Sequence, residues 1–209
     1  MYSNTNAEHE SNIDGFIVDI VHNNSIIEIQ TGNFTKIRAK LSTLLSHYKV
    51  KLVYPIAFEK TLIVYDSKKE NILYKRRSPK KGELIDIVYE IIHIPKLIIH
   101  PNFSLEVLFT KEEEIRSADG EGSWRRKGIS ILDRRLLDII KRIKFNHVQD
   151  YIMLLPNNVP PSFTNMDLSR IMSKPLKKVQ KLTYSLKQMS LLRVIGNQGN
   201  AQVFKVEYR

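Results

Sequence analysis

Two carboxylates and an amide interrupt an apolar run. In "IVDIVHNNSIIEIQTGNF" (residues 17–34), Asp19, Glu28 and Gln30 stand where isoleucine and valine otherwise dominate. Reading "HNNS" as a two-residue hairpin puts Asn23 and Asn24 at its tip, and asparagine tolerates the left-handed conformations such turns need. His22 then faces Ser25, and Asp19 faces Glu28, with Cβ atoms about 4.5–5.5 Å apart on one sheet face. Strand alternation adds Gln30 to that face and sends Phe16, Val18, Ile20, Ile27 and Ile29 into a core on the other. Opposed carboxylates repel, and a hard divalent cation reverses the sign. Mg²⁺ (or Mn²⁺) is commonly held by one or two carboxylates, with water and phosphate oxygens completing the shell. Such a cation lowers the pKa of a water and neutralises charge on a phosphate, which suits phosphodiester hydrolysis, and Gln30 could orient that water. The competing reading makes the three residues the polar alternate positions of a half-exposed strand. Ile17 and Ile26 share their face and fit a cleft floor better than a solvated surface.

The surrounding elements must hold that pair in place. "DGFIVDIV" and "SIIEIQT" read as strands, and "NFTKIRAKLSTLLSHY" as a helix with Phe34, Ile37, Leu41, Leu44 and Leu45 on one face. "KVKLVYPIAF" and "KTLIVYD" read as two further strands, and "KENILYKRR" as another. Ser78-Pro79 reads as a helix start leading through "GELIDIVYEIIHI". "SLEVLFTKEEEIR" reads as a strand with a solvated acidic end. The glycine-rich "ADGEGSWRRKG" (118–128) marks a boundary, where Trp124 is expected to pack between modules. "ISILDRRLLDIIKRIKF" follows as a helix with Leu132, Leu136, Ile139, Ile140 and Ile143 on one face. The last segment reads as helices over 148–155, 165–172 and 175–189, then a hairpin turning at "GNQGN".

The D-x8-E-x-Q pattern, on a hairpin followed by an amphipathic helix and then the strand "VKLVYPI", resembles the PD-(D/E)XK nuclease superfamily, the restriction-endonuclease-like fold. The resemblance covers roughly residues 8–66. It implies metal-dependent cleavage of nucleic acid with Asp19 and Glu28 as metal ligands. Gln30 stands where the family's usual lysine would be, and Val18 where proline commonly precedes the aspartate. The family often adds a carboxylate from a helix before the first strand, and the resemblance assigns that role to Glu10, with Glu8 as the alternative, on a short helix around 5–10. A restriction or defence role is implied by resemblance alone.

Residues 147–209 resemble a winged helix-turn-helix. On the helix over 175–189, Val179, Leu182, Leu186 and Met189 form an apolar stripe, while Lys177, Lys178, Lys181, Ser185 and Gln188 gather on another sector. An apolar face on the domain and a donor-rich face in a major groove is what a recognition helix needs. "GNQGN" would be the wing tip, flanked by Arg193 and Lys205. Further phosphate contacts are expected from Lys36 and Lys40 on one helix face, from Arg76, Arg77, Lys80 and Lys81 in "YKRRSPKKG", and from Arg125 and Arg126.

Charge supports a polyanion partner. The net charge is +11, and residues 125–209 hold 17 Lys+Arg against 5 Asp+Glu, so the whole excess lies in that stretch. Absence of cysteine excludes disulfides, thiolate zinc sites and a cysteine nucleophile. No Walker loop, G-x-G-x-x-G, H-E-x-x-H or G-x-S-x-G occurs. No apolar run is long enough for a bilayer span, and the polar start lacks a signal-peptide core, so a cytoplasmic location and no membrane partner are expected. Together these readings give an α/β restriction-endonuclease-like mixed sheet flanked by helices (1–117), a basic linker and connecting helix (118–146), and a C-terminal winged-helix (α+β) domain (147–209). The expected activity is metal-dependent endonucleolytic hydrolysis of DNA, with RNA not excluded; a homodimer would suit double-strand cleavage. The alternative is a catalytically inactive DNA-binding protein or regulator that keeps the nuclease-like fold.

Overall fold

An Asn-Asn turn and a run of β-branched residues organise the first element pairs. The computed structural model describes residues 8–207. Strand β1 (Glu8–Ile13) pairs antiparallel with β2 (Phe16–His22), which turns at Asn23 and Asn24 into β3 (Ser25–Ile29). Asn23 takes φ 53° at the tip, as the asparagine pair predicts. Helix α1 (Phe34–Leu44) follows and returns the chain to β4 (Lys49–Tyr65), which lies parallel to β3 with Ile26 beside Val50 and Glu28 beside Leu52. The remaining strands are β5 (Ile72–Arg77), β6 (Phe103–Ser117) and β7 (Ser130–Phe145), giving a mixed sheet in the order β1-β2-β3-β4-β6-β7 with β5 on β4. Short α2 (Val88–Ile91) and α3 (Pro95–Ile98) separate β5 from β6.

By compactness the chain forms two units along other lines than a cut at 118–146. The first gathers the described residues up to Tyr54 with Leu84–Glu106 and the chain from Lys144 onward; the second gathers Pro55–Glu83 and Val107–Ile143. In the first unit Phe34, Leu41, Leu44 and Leu45 of the α1 segment are buried with Ile26, Val50 and Leu52 of the strands. At about 25 cal/mol per Å² such burial is the main stabilising term. The backbone N–H of Phe34, at the start of α1, donates to the Glu90 carboxylate at 2.9 Å. That supplies a long-range cap where Asn33, at φ 59°, makes none.

The C-terminal part of this unit is built from a 3-10 turn (Val148–Leu154), a two-residue strand β8 (Phe163–Thr164), α4 (Asn165–Met172), α5 (Leu176–Gln188), and the hairpin β9 (Leu192–Gln198) and β10 (Ala201–Val206). Its three strands lie in the order β8-β10-β9. Thr164 and Asp167 cap α4 reciprocally: Thr164 Oγ1 accepts the Asp167 N–H at 3.2 Å, and Asp167 Oδ2 accepts the Thr164 N–H at 2.9 Å.

Several expectations are corrected here. The stretch read as a helix over 129–145 holds strand β7 (Ser130–Phe145) instead, although its apolar positions also fit a helical spacing. The two strands read from "KVKLVYPIAF" and "KTLIVYD" are one 17-residue strand. Pro55 falls between its β3 ladder (Lys49–Val53) and its β5 ladder (Thr61–Tyr65), where no hydrogen bond to either is lost. Ser78-Pro79 starts no helix; helical turns begin at Leu84 and are short. Residues 8–10 belong to β1 rather than a helix, and the rest of that expected helix lies outside the described residues. "EEEIR" stays in strand, with Glu114 buried. Among the described residues no helix is long and apolar enough to cross a membrane.

Candidate functional site

The β2–β3 ladder runs from the turn, His22 on Ser25, Val21 on Ile26 and Ile20 on Ile27. The next opposed positions are Asp19 and Glu28, as the hairpin register predicts. There the backbone ladder gives way to side chains. The Ile29 N–H donates to Asp19 Oδ2 at 2.7 Å, and the Asp19 N–H donates to Glu28 Oε1 at 3.3 Å. Each carboxylate therefore satisfies an amide on or beside the opposite strand, in place of a carbonyl.

Glu28 is only 5% exposed. Its charge is met by Lys40 of α1, whose Nζ lies 2.6 Å from Glu28 Oε1 and also donates to the Ile17 carbonyl. Burial is the main influence on the Glu28 carboxyl and raises it; Lys40 pulls it down and the neighbouring Asp19 carboxylate pushes it up again, leaving it above the ordinary glutamate value. The sequence grouped Lys40 with Lys36 as a phosphate-contacting row. Lys36 is exposed, but Lys40 turns inward onto Glu28. The four-residue step from Lys36 does not reveal this, because it depends on how α1 docks on β3.

The other expected members of the site behave differently. The Gln30 side-chain amide donates to the Gly32 carbonyl, and its backbone N–H donates to Val53 O at 2.9 Å. That ties Gln30 into the turn before α1. Glu10 falls opposite Asp19 by interpolation of the β1–β2 register, but it takes φ 49° and is exposed. Ile26, expected on a cleft floor, is fully buried, and Ile29, expected in the core, is 46% exposed. The covering layer on this face is α1, so the Glu28 face is the better buried at this position. Among the described residues no group of three or more His, Asp and Glu is placed to hold a metal ion. The donors available to a cation are thus two carboxylates, one oxygen of each already accepting a hydrogen bond and the second of each accepting none among the described residues. Two hard oxygens are the kind of ligand Mg²⁺ takes alongside waters, and the Lys40 ammonium, 2.6 Å from Glu28 Oε1, competes with a cation for that carboxylate.

Near the same end of β3 and β4, the Tyr54 ring meets Phe34 edge-on at 5.4 Å between centroids. Burial, with the Glu90 and Asp86 carboxylates nearby, pushes the Tyr54 phenol up to about 12. Asp86 in turn receives Lys178 Nζ of α5 at 2.6 Å, and Lys178 and Lys181 lie over the Tyr89 ring at 5.6 and 5.7 Å. Ser185 is buried. Lys178 and Lys181, expected on a groove-reading face, are therefore turned toward the 84–91 segment, and Ser185, expected on the same face, is withdrawn from solvent. The apolar stripe Val179, Leu182, Leu186 and Met189 is buried as its spacing predicts. The solvent face of α5 is instead Lys177, Gln180 and Tyr184, with Lys187 and Gln188 half-buried at its margin. Tyr184 and Lys187 were missed because the acid and aromatic residues that attract Lys178 and Lys181 lie some ninety residues upstream. On the hairpin Lys205 and Arg193 are exposed, Arg193 pairing with Glu207 at 2.7 Å.

In the second unit Arg76, Arg77, Lys80 and Lys81 are exposed, with Lys81 over the Phe58 ring. Trp124 is 83% exposed, which corrects its expected burial between modules; Arg125 lies over its ring and Arg126 donates to the Ile129 carbonyl. Glu114 is the centre of an ion-pair cluster with Arg116 at 2.5 Å, Arg134 at 3.0 Å and Lys60 at 3.1 Å. Burial raises its carboxyl, but the hydrogen bonds from Arg116, Lys60 and Arg134 outweigh burial and hold it down at about 2. The acidic end expected in solvent is thus an internal charge network.

Comparison with known proteins places the chain in a family. Residues 1–146 match the family described as a domain of unknown function (DUF8091), and the chain belongs to it. It is also similar to an uncharacterized protein of Treponema pallidum (strain Nichols), 29% identical over 170 residues that cover 81% of this chain and 67% of that protein. No solved structure matches the chain.

Proposed function

We propose that this DUF8091 member is a nucleic-acid-binding protein that hydrolyses phosphodiester bonds of DNA at Asp19, Glu28 and Lys40. The observation that carries the reading is a buried Glu28 opposed to Asp19 across the hairpin with Lys40 Nζ at 2.6 Å. It supports the resemblance to the PD-(D/E)XK nucleases in a modified form. The aspartate and glutamate occupy the motif positions, and the lysine absent at Gln30 is supplied from α1. The order of hairpin, helix and parallel strand through β4 agrees with that resemblance.

In this account Asp19 and Glu28 would hold the divalent cation, which when bound supplies charge neutralisation and a more acidic water. Lys40 presents its ammonium beside the carboxylates, where it can donate to a phosphate oxygen and offset the charge that builds on it. Substrate would be held by the C-terminal helices and hairpin, read as a winged helix-turn-helix. The element order, the β8-β10-β9 sheet and the outward Lys177, Gln180 and Tyr184 support this. Arg76, Arg77, Lys80, Lys81 and Arg125 remain solvent-side candidates for phosphate contact, while Arg126 is half-buried with its Nε on the Ile129 carbonyl. The test is conversion of supercoiled plasmid in Mg²⁺ by the wild-type chain and by Glu28→Ala. Cleavage lost in the variant is the expected result; equal cleavage by both overturns the assignment.

A second reading is favoured by one specific observation. Both carboxylates already accept backbone N–H groups, a structural task that needs no cation. A non-catalytic DNA-binding protein or regulator would keep the pair for that reason. It would show DNA affinity that falls steeply with salt and is indifferent to Mg²⁺.

A further inference from the structure

Strand β7 ends the sheet order, so one of its edges has no partner strand among the described residues. It is also long, and its surface is unusual for an edge. Leu132, Leu136 and Ile140 are 41%, 59% and 45% exposed, and their even spacing puts all three on one face. Arg134 and Asp138 alternate with them, giving Leu-Arg-Leu-Asp-Ile along that face. Free edges usually carry charges that discourage pairing. Here the charges are arranged to permit it.

We propose that the β7 edge pairs antiparallel with the β7 edge of a second copy, with the two-fold axis passing through Leu136. A two-fold that continues a sheet brings even positions onto even positions, so the registers can be enumerated. Centring on Arg134 or Arg135 sets that arginine against its own copy. Centring on Asp138 opposes Arg134 to Arg142 and Arg135 to Lys141. Centring on Ile139 opposes Arg134 to Lys144. Between these, the registers centred on Leu136 and Leu137 avoid like-charge contacts; centring on Ile140 also avoids them but seats Leu136 on Lys144 and leaves Leu132 beyond the paired strand. The Leu137 register gives Leu137 on Leu137, Ile131 on Ile143 twice and Asp133 on Lys141 twice, but Ile131 and Ile143 are already half-buried, and it seats the exposed Leu136 on Asp138, Leu132 on Arg142 and Ile140 on Arg134. The Leu136 register instead gives Leu136 on Leu136, Leu132 on Ile140 twice, and Arg134 on Asp138 twice. Opposed apolar pairs and opposite-charge pairs are what stabilise neighbouring strands. Arg134 keeps its Nε on Glu114 at 3.0 Å, yet its side chain is 54% exposed and has terminal nitrogens left to donate. Among the described residues the Asp138 carboxylate accepts one hydrogen bond, from the Ile139 N–H that follows it. The other edge strands of this sheet lack this complementarity: in β5, Lys75, Arg76 and Arg77 have no acidic residue in the strand to meet them, and in β1, Glu8 and Glu10 have no lysine or arginine. The inference is independent of the proposed chemistry, since it uses no residue of the candidate site.

The full chain tests it directly. Sedimentation velocity over a wide concentration range should give twice the chain mass. Asp138→Arg, shown by circular dichroism to be folded, should weaken association about tenfold or more by opposing two arginine pairs. The register is tested by thiol cross-linking, which is clean because the chain has no cysteine. Leu136→Cys should cross-link to itself under mild oxidation. Leu132→Cys and Ile140→Cys should each fail alone and cross-link when mixed. A monomer at all concentrations, or self-linking at 132 or 140 as efficient as at 136, would overturn the proposal.

Discussion

Replacing Lys40 by methionine keeps the aliphatic stem and removes the ammonium, leaving a buried carboxylate without its partner. The pair is 2.6 Å apart, with Lys40 and Glu28 side chains 15% and 6% exposed. Removing one partner from a fully buried pair costs about 3–5 kcal/mol, and the residual exposure of Lys40 argues for the lower end, about 3 kcal/mol near neutrality. The cost must depend on pH. Glu28 has a raised carboxyl in the folded chain. The native state therefore binds more protons than the unfolded state above the ordinary glutamate value. The contribution of Glu28 is fully present at low pH and is lost as pH rises through its folded value. Losing Lys40 steepens that loss. Urea unfolding of wild type, Lys40→Met, Glu28→Gln and the double variant gives the coupling energy. It should be about 2–3 kcal/mol at about pH 7 and under about 1 kcal/mol at about pH 4, where Glu28 is largely protonated. A coupling that is negligible at neutrality, or the same at both pH values, would show that Lys40 does not neutralise Glu28.

Other outcomes follow from the same geometry. Glu114, held at about 2 against an unfolded value of 4.5, contributes stability above the unfolded value that is lost as pH falls toward the folded one. In acid unfolding curves, Glu114→Gln should remove up to about 3 kcal/mol of that pH-dependent stability. On α5, Lys177→Ala should weaken DNA binding and reduce the salt slope by about 1. By contrast Lys178→Ala should lower stability with little effect on the slope, because its ammonium is spent on Asp86; fluorescence anisotropy at several salt concentrations separates the two. Gly122→Ala should destabilise the 118–128 loop, because a Cβ there would lie 1.9 Å from Ile129 O; a melting temperature equal to wild type would refute the close approach.

What the sequence disclosed was local. The Asn-Asn turn fixed the β2–β3 register, so the Asp19–Glu28 opposition could be read before any coordinates. The helix read over 165–172 is α4 (Asn165–Met172), and apolar spacing placed the buried stripe of α5. The failures are long-range. Lys40 meets Glu28 because α1 docks on β3, and Lys178 turns to Asp86 because a distant segment lies against α5; neither partner is visible from residue spacing. The stretch 129–145 carries apolar residues at helical intervals, but its Ile- and Leu-rich chain pairs with β6 instead, and pairing partners outweigh propensity. β8 is two residues long and has no pattern to find. Gln30 was assigned by motif position, while its amide reaches the nearer acceptor at Gly32.

The proposed chemistry depends on whether Asp19 and Glu28 share a cation, and a crystal of the chain soaked in Mn²⁺ measures that directly. The account predicts an anomalous peak within coordination distance of both carboxylates, with Lys40 displaced from or sharing Glu28. A well-ordered hairpin with no peak at saturating Mn²⁺, and Lys40 still seated on Glu28, would contradict it.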